Sequence, residues 1–188
     1  MNDFVIEPEL DMRNLVDEFK GKSNEQVKAE LGERRNSLEI AIENVEHDFN
    51  VGTIVRSANN FNAGIVHIIG RKKYNRRGAM CTDKYLEIKY WTDFESFVVD
   101  QRARGREIVA IENNTERANP IHQKIFSKNT TLVFGSEGNG ISAELTAAAD
   151  DVRFIESFGS TRSLNVGVAA GVAMYEWVRQ VVLSLEDN

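Results

Sequence analysis

Apolar residues along this chain fall into short runs separated by helical spacings. Leu38 to Ile42 is a compact apolar run suited to a buried strand. Asn50 to Phe61 has helical spacing, with Ile54, Val55 and Ala58 on one side. Ile65-Val66-His67-Ile68-Ile69 is rich in β-branched residues and closes at Gly70, a strand followed by a turn. Phe94 to Arg104 reads as a helix capped by Asp93, and Ile108 to Ile111 as a strand. Thr130 to Phe134 is another strand, stopped by Gly135. Ser142 caps a short helix to Ala149 that carries Glu144 in its first turn. Val152 to Ile155 is the last strand and Leu164 to Leu185 a long final helix, with Ser163 as its cap.

Strands that alternate with helices imply crossover connections. The predicted fold is therefore α/β, a mostly parallel sheet with helices on both faces. Ligands of such sheets bind beyond the carboxyl ends of the strands, where Gly70, Gly135 and Glu156 fall. The first 35 residues stand apart from this alternation. Ser23-Asn24-Glu25-Gln26-Val27 offers a cap and a helix, and Leu15, Val16 and Phe19 an amphipathic turn. This divides the chain into an N-terminal helical extension, 1–35, and a main domain, 36–188. Packing against the domain and a part in ligand docking are both open to the extension.

At 188 residues the chain suits one domain with a sizeable core. No apolar stretch approaches the roughly 20 residues that span a bilayer. Met1-Asn2-Asp3-Phe4 does not open a secretory signal, so a cytoplasmic location is expected. A lone Cys81 forms no internal disulfide and reads as a small, partly buried hydrophobe. The net charge is −6, but acids crowd the first 33 residues and leave the remainder nearly neutral. Within that remainder Arg71, Lys72, Lys73, Arg76 and Arg77 form a basic turn after a strand. Local charge of this kind, rather than the total, decides where a phosphate backbone docks. Arg102, Arg104 and Arg106 form a second basic run.

Three segments carry candidate chemistry. Gly135-Ser136-Glu137-Gly138-Asn139-Gly140 is neither a P-loop nor the dinucleotide fingerprint, because its glycines are differently spaced and no Lys-Ser/Thr follows. It reads as a strand-to-helix turn, or as a loop whose backbone a ligand can touch. Arg56 reads as a solvated helical arginine and Asn50 as a helix cap when each stands alone. The run Ser163-Leu164-Asn165-Val166-Gly167-Val168-Ala169-Ala170-Gly171-Val172 opens a helix whose small residues let another backbone or a ligand come close. His47, beside Glu46 and Asp48, lacks a second ligand at metal spacing, so no metal is expected; His67 reads as a satisfied core or interface residue.

The ordered set resembles the three motifs of the SpoU (TrmH-type) branch of the SPOUT RNA methyltransferases. Asn50-Val51-Gly52-Thr53-Ile54-Val55-Arg56-Ser57-Ala58 is similar to the first motif, Val133 to Ser142 to the second, and Ile155 to Ala170 to the third. The likeness covers roughly residues 38 to 180. It implies S-adenosylmethionine-dependent methylation of a ribose 2′-hydroxyl in tRNA or rRNA. It also implies a C-terminal trefoil knot and a homodimer with the active site near the subunit interface.

Carried over motif by motif, the catalytic residues would be Asn50, Arg56, Glu137, Ser163 and Asn165. Gly135, Ile155 and Leu164 would line the cofactor site, and the basic turn at 71–77 would meet RNA. Three positions depart from the family: Ile155-Glu156-Ser157 replaces Ile-Pro-Met, and Gly167 replaces a serine. A non-catalytic RNA-binding or assembly protein that kept the fold is the alternative.

Overall fold

The computed structural model describes residues 7–44, 50–71, 73–136 and 138–185. Its elements are α1 (Asn24–Glu33), β1 (Glu39–Asn44), α2 (Asn50–Asn60), β2 (Ile65–Gly70), β3 (Glu87–Trp91), α3 (Phe94–Ala103), β4 (Glu107–Ile111), β5 (Asn119–Pro120), β6 (Thr130–Phe134), α4 (Ala143–Ala148), β7 (Asp151–Phe154) and α5 (Val166–Val181). The strands form one sheet in the order β3-β2-β1-β6-β4-β7-β5, and each named ladder is parallel.

Strand period and burial explain the layers. All five residues of β6 are buried, as a central strand covered on both faces requires. Ile40, Ile42, Leu132 and Phe134 face one side, against Ile54, Val55 and Ala58 of α2 and Ala170, Ala173, Met174 and Trp177 of α5. Ala41, Val133, Ile108 and Ala110 face the other, against Phe97 and Val98 of α3 and Leu145 of α4. Because all strands run the same way, the loops after β2, β4, β6 and β7 gather at one edge.

Some boundaries and environments differ from the sequence reading. β3 and β5 were not anticipated. β3 is an edge strand, Glu87-Ile88-Lys89-Tyr90-Trp91, whose charged and half-exposed residues blur the apolar signal. β5 has two residues, one a proline tolerated only at a sheet edge. The cap of α5 is Asn165, not Ser163, and the helix stops at Val181, followed by a 3-10 turn. Val16 is exposed, while Phe19 is buried with Val27 and Tyr85. Ser23 and Gln26 form the capping box of α1. Cys81 is exposed rather than partly buried, because residues 80 and 81 form a left-handed turn, with φ of 48° at Met80 and 65° at Cys81.

The amino-terminal edge of the sheet holds a buried charge network. His67 Nε2 lies 2.8 Å from Glu39 Oε2, and Trp91 Nε1 donates to His67 Nδ1 over 3.0 Å. Arg104 hydrogen-bonds both carboxylate oxygens of Glu39, and Arg106 Nε stands 3.2 Å from Oε2. Burial opposes ionisation of Glu39, but hydrogen bonds from His67 and Arg104 and the charge of Arg106 outweigh it and hold the carboxyl at about 2. Burial pushes the His67 imidazole below its ordinary value. Arg104 and Arg106 are thus both paired with Glu39 inside the fold.

Candidate active site

The carboxyl edge of the sheet carries a cleft of about 220 Å³. Gly135, Ile155, Ser163 and Leu164 line it together, as the sequence motifs suggest. Its apolar walls are Ile111, Phe134, Phe154 and Ala169, and its polar rim is built from the 138–140 backbone and residues 112–114.

The loop after β6 folds on itself. Ser136 N–H donates to the Gly140 carbonyl over 3.1 Å, and Gly140 N–H returns a bond to Ser136 over 2.9 Å. A Cβ on Gly135 would stand 2.0 Å from the Gly140 carbonyl group, so Gly135 makes room for the loop's own closure. Gly135 thus serves the turn itself and also lines the cleft. Gly140 has φ of 68°, a left-handed conformation that favours glycine, and a Cβ there would meet Glu112 Oε2 at 2.3 Å. Glu137 lies outside the described residues.

Glu112 was missed in the sequence. Its Oε2 accepts from Ile141 N–H over 3.0 Å and its Oε1 from Asn113 N–H over 2.8 Å, so it fastens the 138–141 loop to the end of β4. The rule that ligands gather beyond strand ends also applies to β4 and would have pointed to it. Glu43, buried at the end of β1, accepts from Ser142 N–H over 2.7 Å and fixes the start of α4.

The third segment meets the first here. Asn165 Oδ1 accepts from Gly167 N–H at 3.0 Å and Val168 N–H at 3.3 Å, while its Nδ2 donates to Asn50 Oδ1 at 3.0 Å. Gly167 is buried against α2: a Cβ there would lie 3.0 Å from Thr53 Cγ2. The departure from the family serine is therefore a close helix–helix contact. Another departure, Glu156, pairs with His122 at 2.9 Å.

Arg56 does not share this cleft. It is exposed on α2, lines a second cleft of about 500 Å³, and has no hydrogen-bond or ion-pair partner among the described residues. In the basic turn, Arg71, Lys73, Arg76 and Arg77 are exposed. Arg76 is paired to the buried Asp83, so it braces the turn. Lys72 and His47 lie outside the described residues. Among the described residues no group of three metal-ligating side chains converges, and no helix is long and apolar enough to cross a membrane.

The donor set fits a nucleoside-like ligand: apolar walls for a base, and amides, backbone groups and a carboxylate at the rim. The family model described as SpoU rRNA Methylase family matches residues 37–175. A tRNA (guanosine(18)-2′-O)-methyltransferase of Aquifex aeolicus (strain VF5) is 31% identical over 156 residues, covering 80% of this chain and 72% of that protein. The crystal structure of the A. aeolicus TrmH/SpoU tRNA modifying enzyme aligns with a TM-score of 0.73 at 27% identity, over 84% of this chain and 81% of that one. The SpoU methyltransferase AviRb from Streptomyces viridochromogenes, in complex with the cofactor AdoMet, aligns with a TM-score of 0.66 at 25% identity, over 78% of this chain and 58% of that one.

Proposed function

The chain belongs to the SpoU rRNA methylase family, and we propose that it methylates a ribose 2′-hydroxyl of structured RNA, tRNA or rRNA, with S-adenosylmethionine as methyl donor. The observation that carries this is the junction of the three motifs: Asn165, capping α5 next to the Ser163–Leu164 lip of the cleft, bonds Asn50 at the start of α2. The closed 135–141 loop, Ile155 and Leu164 hold the cofactor. When bound, S-adenosylmethionine supplies an electrophilic methyl group on a sulfonium and leaves as the thioether.

The remaining chemistry is alignment. A ribose hydroxyl is a weak nucleophile near neutral pH, so its oxygen has to be held in line and its developing charge offset. Arg56, with no partner among the described residues, is the side chain we assign to the 2′-oxygen and the adjacent phosphate, which its planar fork can hold together. A guanidinium is not a base at this pH. The hydroxyl proton leaves to phosphate or water. Asn50, Ser163 and Asn165 orient the lip, and Glu137 belongs with them to the catalytic set.

Because Arg56 and the cofactor cleft are separate on one chain, we further propose a homodimer in which Arg56 of a second copy reaches the cleft. Support comes from exposed apolar side chains beside the site: Leu164, Val168, Val172 and Tyr175 are 42%, 53%, 40% and 53% exposed. The cleft is also smaller than the roughly 300 Å³ at which small-molecule sites begin, as suits one completed by another copy. The methyltransferase domain is residues 36–188, with its C-terminal segment threaded as a trefoil knot, and 1–35 form its extension. The basic turn, including Lys72, lies on the RNA path, and the protein acts in the cytoplasm.

The test is transfer of labelled methyl from S-adenosylmethionine to bulk tRNA and rRNA from cells lacking the gene, followed by mapping of ribose methylation. A single 2′-O-methylated nucleotide is the expected result. Bound RNA and cofactor with no methyl transfer would make the chain a non-catalytic RNA-binding protein.

A further inference from the structure

The second cleft is built by parts of the chain that the three motifs do not include. One wall is the N-terminal segment, with Met12, Asn14 and the start of α1; the other is the loop before β3, with Met80, Cys81 and Lys84. Arg56 lies between them.

Both walls are braced. Arg13 Nε donates to Asp11 Oδ1 over 2.9 Å, its Nη1 to Asn24 Oδ1 over 3.0 Å, and its Nη2 to the Lys22 carbonyl over 2.6 Å. The buried Asp11 also accepts from Gly21 N–H over 3.0 Å. One arginine thus ties residues 11–13 to residues 21–24. The opposite wall is seated on α2: a Cβ at Gly52 would lie 2.7 Å from the Asn75 carbonyl oxygen and 2.8 Å from Ala79 N. Arg76 and the buried Asp83 close the base of that loop. Its tip holds two successive non-glycine residues, Met80 and Cys81, in the left-handed region that side chains rarely adopt.

The lining chemistry narrows the occupant. Met12 is 95% exposed and Met80 60% exposed, so each wall presents an adaptable thioether to solvent. Arg56, Lys22 and Lys84 add positive charge, Glu25 adds one carboxylate, and Asn14 adds amide donors and an acceptor. Apolar surfaces flanked by cations and an amide suit a base, its edge and its phosphate. The volume is within the range of small-molecule sites, roughly 300–1,000 Å³.

We propose that this cleft receives an unstacked nucleobase of the substrate RNA, that of the nucleotide held by Arg56 or of its immediate neighbour. Residues 12–25 then take part in choosing the substrate. The inference rests on the assignment of Arg56 to the RNA ribose and phosphate.

Cys81, the single cysteine of the chain, lines the cleft and is exposed, so it can report on the occupant. Coupled to an azidophenacyl group and irradiated with bulk tRNA and rRNA from cells lacking the gene, it should cross-link within about two nucleotides of the methylated ribose. A pyrene maleimide on Cys81 should lower kcat/KM for the same RNA by about tenfold and leave S-adenosylmethionine affinity unchanged. The same reagent should make no difference to Cys81→Ser, treated against untreated. Met12→Glu, at a side chain too exposed to affect folding, should raise KM for RNA several-fold through repulsion of phosphate. Cross-links far from the methylated nucleotide, or full activity with the cleft blocked, would overturn the proposal. Wild-type protein without methyl transfer would instead overturn the assignment of function on which it rests.

Discussion

Asn165 Nδ2 donates to Asn50 Oδ1 over 3.0 Å, joining the cap of the last helix to the first residue of α2 across 115 positions of sequence. The same Asn165 side chain holds the first turn of α5 through its other amide atom. One residue therefore sets both the helix start and the contact between two motifs.

The two functions separate by substitution. Asn165→Ala loses the cap and the tie, while Asn50→Ala loses the tie and leaves the cap. The cap contributes about 1 kcal/mol. Urea denaturation should therefore show Asn165→Ala less stable than wild type by at least that amount, with methyl transfer reduced in both variants. Wild-type stability in Asn165→Ala would mean that Asn165 does not cap α5.

Gly135 is expected to tolerate no side chain at all. The nearest obstacle is backbone, the Gly140 carbonyl, which cannot rotate away as a side chain would. Gly135→Ala should then open the 136–140 closure and abolish S-adenosylmethionine binding measured by calorimetry, in protein that keeps its far-UV circular dichroism. Retained affinity would place the cofactor elsewhere.

Much of this was legible in the sequence because period and burial agree. Thr130 to Phe134 reads as a strand and is one, since a doubly covered strand has no polar face to disguise it. The spacing of Ile54, Val55 and Ala58 gave the buried side of α2. Edge elements were not legible: Glu87, Lys89 and Tyr90 interrupt the apolar signal of Ile88 and Trp91, and pairing with β2 completes Glu87–Trp91 as a strand. In the site, the motif residues were visible as types and spacings. That Asn165 rather than Ser163 caps α5, and that Glu112 fastens the 138–141 loop, depends on distances between segments far apart in sequence. The separation of Arg56 from the cofactor cleft is likewise a property of the folded chain alone.

Arg56→Ala should abolish methyl transfer and leave cofactor affinity intact, because Arg56 lines none of the cofactor cleft. Its stability cost should be small, as the side chain is exposed and bonds no described residue. Arg56→Lys should also fail, since an ammonium cannot span two oxygens as a planar fork does. Activity within a few-fold of wild type would remove Arg56 from the mechanism.

Arg76 holds the buried Asp83, so Arg76→Ala should lower thermal stability as well as RNA affinity. Arg71→Ala with Lys73→Ala should weaken RNA binding. Each phosphate contact contributes about 0.7–0.9 to the slope of log affinity against log salt. Filter binding across a salt series should show a flatter slope for the double variant and unchanged cofactor affinity. An unaltered slope would confine the turn to the protein surface.

Stability should fall as the pH drops from about 7.5 to 5, and His67 supplies part of that fall. Burial lowers its pKa in the folded protein below the ordinary value of 6.5. The unfolded chain therefore takes up a proton on this imidazole first, and the stability present above pH 6.5 is lost as the pH falls toward the folded value. Glu39 acts in the same direction lower down: its folded pKa of about 2 lies below the ordinary 4.5, so its contribution holds above that value and is lost as the pH falls toward 2. His67→Gln can still donate toward Glu39 and accept from Trp91 but cannot titrate. It should be less stable than wild type at pH 7.5, because the packing of the ring on Phe97 is lost, yet flatter in its pH dependence between 7.5 and 5. Urea midpoints measured across that range check the difference in slope, to which other titrating groups contribute equally in both proteins. Parallel curves would show that His67 is not the group whose protonation opposes folding.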